Sequence, residues 1–233
     1  MHVSWTALEL SAPSSTCPWV PSGASFVQCG HGSGSAVEMP SFDGASWSVL
    51  ATWEDAEQAT AAAPVAVDGV RSAWHVVLDP VSYRGDAVLS AGAQPFARLP
   101  SRGKVTGAAA VITLAGLGPD PARTGEFLER FPRLGRDVRS APGHRAALVQ
   151  APADGAVLTF SAWRTLRDAV TWAYHRPDHS QTVRRQEEHA LLATSGFLRC
   201  AVVASAGTLG DTDPLAGLTG IPVPVPVPVK EQS

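Results

Sequence analysis

The side chains best suited to chemistry are concentrated in residues 162–185, which read AWRTLRDAVTWAYHRPDHSQTVRR. Pro177 suits the first position of a new helix, which places His179 in its first turn. A helix N-terminus disfavours a charged imidazolium and so favours a neutral ring that can ligate a metal. A histidine beside an apolar helix is more often structural or at the surface, so spacing alone leaves both roles open for His179.

A zinc site shared by His175 and His179 has weaker support. Two histidines four residues apart can lie on one helix face, but Pro177 stands between them and breaks that face. The segment also lacks the glutamate of an H-E-x-x-H pattern. A metal held by His179 would therefore need its other ligands from elsewhere.

The strand before this segment carries two hydroxyl groups. Alternation places Thr159 and Ser161 on one face of the strand and Leu158, Phe160 and Ala162 on the other. If the apolar face packs on helices, Thr159 and Ser161 point into the interior of the sheet structure. The equivalent position of Ser161 in the first half is Ala51, which fits either an asymmetric pocket or a tolerated serine.

These segments belong to an internal repeat. Val49–Ala59 (VLATWEDAEQA) and Thr159–Ala169 (TFSAWRTLRDA) each read as a short strand that ends in tryptophan and continues into a helix. Each half reads strand, connection, strand, strand, helix, strand, which is the ferredoxin-like order. The prolines of Ser11–Gly23 predict a loop between the first two strands. The second half has a predicted helix at Ala122–Phe131 that ends at Pro132.

The repeat predicts an α+β fold in which two ferredoxin-like repeats close one barrel-type domain. We expect the first half over residues 1–105 and the second half, with the His179 helix, over residues 106–220. Residues 221–233 form a tail rich in proline and valine, in which PVPVPVPV favours an extended polyproline conformation.

Composition limits the function classes. The 233 residues are 45% hydrophobic and 17% charged with a net charge of −3, which argues against disorder and against a nucleic-acid partner. Three cysteines (Cys17, Cys29 and Cys200), none in a C-x-x-C pattern, make a disulfide framework unexpected. The longest apolar stretch, Ala108–Leu117, is too short to cross a bilayer. We therefore expect a cytoplasmic protein with no integral membrane segment.

Several ordered motifs resemble the spheroidene monooxygenase family over most of the chain. The segment CGHGSGSAVEMPSFDGASWSVLATW is similar to the family's glycine-rich loop and I-L-A-T-W-type strand. Leu78–Gly85 (LDPVSYRG) resembles its L-x-P-x-S-x-R-G segment, and Thr159–Trp163 matches its T-F-S-x-W strand. The family's F-A-Y…H…R element resembles Trp172–Tyr174, followed by His179 and Arg184 or Arg185.

The resemblance implies a homodimeric α/β-barrel protein that binds haem b, as do dye-decolourising peroxidases, chlorite dismutases and aldoxime dehydratases. It implies that His179 is the proximal iron ligand and that Tyr174 lies in the cofactor-binding segment. By the same resemblance, Arg184 or Arg185 pairs with a haem propionate, because guanidinium and carboxylate groups match as a bidentate pair.

The implied activity is a haem-dependent oxygenation of a small hydrophobic substrate, with Ser161 and Thr159 as catalytic residues on the distal side and an electron donor as partner. The family's continuation after the histidine helix is replaced here by EEHALLATSGFL, and its first helix by the proline-rich loop. These departures favour a smaller, specialised-metabolism substrate over a carotenoid. A haem-dependent lyase similar to aldoxime dehydratase and a haem-free binding barrel stay open as alternatives.

Overall fold

The structure, a computed structural model, describes residues 1–33, 43–64, 66–99, 101, 103–151, 156–176, 185 and 191–218. The first half supplies four strands and a short helix: β1 (His2–Leu10), β2 (Phe26–Gly32), β3 (Ser46–Trp53), α1 (Ala56–Ala61) and β4 (Val70–Gly85). The second half supplies four strands and two longer helices: β5 (Ala109–Gly116), α2 (Pro121–Arg139), β6 (His144–Ala151), β7 (Ala156–Trp163), α3 (Leu166–His175) and β8 (Thr194–Gly207).

The eight strands form one closed antiparallel barrel in the order β1-β3-β2-β6-β7-β5-β8-β4. The strands of the first half lie side by side in the order β4-β1-β3-β2, and those of the second half lie in the matching order β8-β5-β7-β6. The two halves therefore repeat the same ferredoxin-like sheet. The predicted α+β class and ferredoxin-like strand arrangement are confirmed. A single chain closes the barrel, and assembly into a dimer stays a prediction.

Large side chains fill the barrel interior. The ring of Phe160 lies 5.3 Å from that of Trp5 and 5.7 Å from that of Trp74, and all three side chains are fully buried. Phe96 and Leu215, from the loops that follow β4 and β8, are buried in the same cluster. Eight strands enclose a space that side chains of this size can fill, so the interior is a packed core.

The helices differ in part from the prediction. The prediction that Pro132 ends the first helix of the second half is wrong, because α2 continues through it to Arg139. Phe127, Phe131 and Val138 form one buried stripe of α2 at helical spacing. Burial of that stripe offsets the hydrogen bond that Pro132 removes from the helix. In the first half, residues 11–25 contain no helix, as the prolines predict.

The two halves meet at one long and one short seam. Strands β4 and β8 pair along most of their length. Among the described residues, β2 and β6 pair through His31↔Ala151 and Gly32↔Gln150, and Ser33 adds two hydrogen bonds to the Val149 backbone. At the short seam, the buried Gln150 Nε2 donates to the carbonyl oxygens of Gln28 (3.0 Å) and Ser48 (2.6 Å). The Gln150 side chain therefore adds hydrogen bonds between the two halves where the backbone pairing of β2 with β6 is short.

Substitution of Gln150 tests this role. Gln150→Leu keeps the size of the side chain but removes both bonds, so we expect the free energy of unfolding to fall by about 1–3 kcal/mol in urea titrations. The same change at the exposed Gln58 should leave stability nearly unchanged. Equal effects of the two substitutions would contradict the role of Gln150.

His75 links α1 to the barrel and makes its stability depend on pH. Its Nε2–H donates to the Ala59 carbonyl at 2.8 Å, and its Nδ1 accepts from the Thr6 hydroxyl at 2.7 Å. Burial lowers the pKa of His75 to about 4 from its ordinary 6.5. The folded protein therefore keeps the ring neutral at pH values where the unfolded chain already binds a proton.

We expect His75 to contribute stability that is fully present above pH 6.5 and is lost as the pH falls towards 4. The loss should amount to about 3 kcal/mol, because each unit of pKa difference corresponds to about 1.4 kcal/mol. Urea unfolding of the wild type and of His75→Gln across this pH range isolates the effect, since both proteins share all other titrating groups. Parallel pH profiles for the two proteins would refute this assignment.

Candidate functional site

The described residues place a partly open polar surface on the outside of the second half, where α2 and α3 cover only part of the sheet. Two rows of paired residues run across β7, β5 and β8 on this side. We call this surface the outer polar face; its rows are Ser161–Val111–Arg199 and Thr159–Thr113–Phe197. All six side chains are half-buried or exposed.

Thr159 and Ser161 face outwards, so the prediction that they point into the barrel is wrong. Leu158, Phe160 and Ala162 belong to the interior core instead. Both faces of β7 are rich in apolar residues, and Phe160 fits between Trp5 and Trp74 inside the barrel. The two hydroxyl-bearing residues therefore lie on the same side as the helices.

Ser161 supports a buried tryptophan. Its Oγ accepts a hydrogen bond of 2.9 Å from Trp163 Nε1 and donates a longer one of 3.4 Å to the Val111 carbonyl. Trp163 is 1% exposed and packs on Trp172 of α3, with 5.7 Å between ring centroids. Ser161 thus helps to fix the edge of the outer polar face next to α3.

Helix α3 is fixed in turn at both ends. The Thr165 side chain accepts from the Asp168 backbone N–H and caps the helix N-terminus. Trp172 Nε1 donates to Asp137 of α2 at 3.0 Å, and the Arg176 guanidinium lies 3.7 Å from the same carboxylate. The helix pair is therefore a rigid border of the outer polar face.

Arg199 is the residue of this face that sequence reasoning missed. Its guanidinium is half-buried, and no carboxylate or other hydrogen-bond partner of it occurs within the described ranges. It shares Val111 as strand neighbour with Ser161, so the two residues lie two strand spacings, about 10 Å, apart. In the sequence, Arg199 could be recognised as a cationic residue on one face of an otherwise apolar strand segment (FLRCAVV).

The structure separates the other predicted site residues. Tyr174 lies near the end of α3 with 60% of its side chain exposed, away from the sheet. The guanidinium of Arg185 lies 3.7 Å from Glu126 on α2, so it already has an acidic partner. His179 and Arg184 lie outside the described residues, and their predicted roles stay predictions.

The side chains available for binding decide whether these residues suit a metal ion or a haem. Within the part of the chain that the structure describes, no cluster of three or more histidine, cysteine or acidic side chains could hold a metal ion. A haem needs only one protein ligand to its iron, together with an apolar wall and a partner for its propionates. The outer polar face presents apolar groups in Phe197 and Val111 and a guanidinium in Arg199, for which the described residues provide no acidic partner. These are the types of group that such a cofactor needs beside its iron ligand.

Sequence comparison finds no match to a known protein family or to a curated protein. Comparison of structures finds similar solved structures at low sequence identity. An aldoxime dehydratase in complex with butyraldoxime has a TM-score of 0.51 and 10% identity over 86% of this chain and 79% of its own. At that identity the likeness shows the shared fold.

Two further solved structures are more distant. A candidate monooxygenase from Fusobacterium nucleatum has a TM-score of 0.40 and 9% identity over 88% of this chain and 93% of its own. A ferredoxin-fold protein from Listeria monocytogenes, described as related to antibiotic biosynthesis monooxygenases, has a TM-score of 0.34 and 10% identity. The match covers 84% of this chain and 94% of the Listeria chain.

Across the described residues, none of the helices has the length and apolar character that a membrane crossing needs.

Removal of the Ser161 hydroxyl tests its structural role. Ser161→Ala leaves the buried Trp163 Nε1 without an acceptor, so we expect stability to fall by about 1–3 kcal/mol in urea unfolding. Thr159→Val is the matched control, because no partner of the Thr159 hydroxyl occurs among the described residues. Equal stability losses for both variants would show that Ser161 does not support Trp163.

Proposed function

We propose that this protein is a haem-dependent enzyme of the spheroidene monooxygenase type that oxidises a small hydrophobic substrate, with His179 as proximal iron ligand. The observation that carries the proposal is the outer polar face, where a half-buried Arg199, with no acidic partner among the described residues, lies beside an exposed Phe197. The sequence motifs around Thr159–Trp163 and His179 lie in the same half of the chain as this face and support a site there. The proposal includes a homodimer and an electron donor.

Five residues of the face have a role in the proposal. Arg199 binds a carboxylate of the cofactor as a bidentate, charge-assisted pair. Phe197 and Val111 exclude water from the ring, and Thr113 and Thr159 offer hydroxyl donors to the substrate side. Arg184 is a second propionate partner, and Arg185 reaches one only by leaving Glu126. When bound, haem supplies an iron centre that activates oxygen or peroxide.

A second candidate is a non-oxidative haem reaction, the dehydration of an aldoxime. A solved structure with this barrel fold is an aldoxime dehydratase bound to butyraldoxime, and enzymes of that name are haem proteins. Both candidates use the same face and the same iron ligand. They differ in whether turnover consumes oxygen or peroxide, or proceeds anaerobically on ferrous haem.

Absorption spectroscopy tests the proposal. Full-length protein expressed with haem supply should show a Soret band that His179→Ala loses and that His175→Ala keeps, since His175 is an exposed residue on α3. Arg199→Met should weaken haem binding about tenfold without removing the ligand to iron. A wild-type protein without a Soret band, or an unchanged band in His179→Ala, would exclude the assignment.

A further inference from the structure

The first half contains a pair of cysteines that the proposed function does not use. Cys17 lies in the proline-rich segment 11–25, and Cys29 lies on the outward side of β2. Cys17 donates to the Trp19 carbonyl at 3.1 Å and packs on a cluster that includes Trp47, and Cys29 pairs with Val49, two residues from Trp47 along β3. The two thiols are therefore neighbours on the outer face of the first half, and both side chains are half-buried.

The surroundings give the two sulfurs different reactivity. The neighbouring Cys29 thiol lowers the pKa of Cys17, whereas the Cys17 thiol together with burial raises the pKa of Cys29. Thiolates are the nucleophilic form, so Cys17 is the thiol that reacts first. Cys200 differs from both, because it lies in the barrel interior and burial raises its pKa.

We propose that Cys17 and Cys29 are a site of reversible oxidation, at which a peroxide converts the two neighbouring thiols into a disulfide. The Cys17 thiolate attacks one oxygen of hydrogen peroxide and becomes a sulfenic acid, while the second oxygen leaves as hydroxide and takes up a proton to become water. Cys29 then attacks the Cys17 sulfur and releases a second water. Each sulfur loses one electron, and the peroxide gains two.

The bond would tie the proline-rich segment to the barrel. That segment has no helix, and its Cys17 and Trp19 pack on a cluster that includes Leu8 and Trp47. Just beyond Cys17, Trp19 and Pro21 form one wall of a cavity of about 460 Å³, and Trp53 and residues 58 and 61–63 form the other. Oxidation fixes one wall of this cavity and reduction releases it.

Alkylation and mass spectrometry test the proposal on the full-length wild-type protein. Reduced protein, once unfolded, should accept three alkyl groups, one for each cysteine. After brief treatment with hydrogen peroxide it should accept one, with the mass loss of two hydrogen atoms. Chymotrypsin can cut between the cysteines after Trp19 or Phe26, whereas trypsin cannot, because Arg71 is the first basic residue. The cross-linked peptides should contain Cys17 and Cys29.

Variants separate this bond from other oxidation products. Cys200→Ser should still form the bond, and Cys17→Ser should not. The oxidised wild type should unfold at a higher temperature than the reduced form, and Cys17→Ser should show no such difference. Three alkylated cysteines after peroxide, sulfinic or sulfonic acids without a cross-link, or a disulfide between two chains would each overturn the proposal.

Discussion

Closure of the barrel by a single chain is the constraint on which the rest of the structure depends. One junction between the halves is a long strand pair, and the other is held by two residue pairs and the buried amide of Gln150. Once the sheet is closed, its interior must be filled, and Trp5, Trp74 and Phe160 fill it. The polar side chains of β7 and β5 that the core does not hold therefore lie on the outside of the sheet.

The outside of the sheet is covered differently in the two halves. In the second half, α2 and α3 pack on β5, β6 and β7 and are joined to each other through Asp137. Among the described residues, Phe197 of β8 stays exposed and Arg199 stays half-buried beside them. In the first half, a proline-rich segment and a helix of six residues replace the long helices. The same repeat therefore presents a polar surface on one side and a thiol-containing segment on the other.

The sequence predicts the architecture better than the site, and the reason is physical. Strand alternation and the repeated Trp53 and Trp163 motifs indicate the ferredoxin-like order, because burial repeats at the same positions in both halves. The orientation of β7 could not be predicted, because both of its faces are apolar enough to be buried. The prediction that the helix ends at Pro132 is wrong for a related reason. Burial of the apolar stripe of α2 outweighs the free energy that a proline costs inside a helix.

Arg199 shows how an apolar pattern hides a functional candidate. On β8 it occurs between Phe197 and Ala201 on one face, where the strand otherwise has small or apolar residues. Among the described residues no carboxylate pairs with this half-buried guanidinium, so within that part of the chain it loses hydration without gaining a partner, which costs free energy in the folded state. A methionine or leucine at this position would avoid that cost. The packing of the described barrel therefore does not by itself explain why an arginine occurs here.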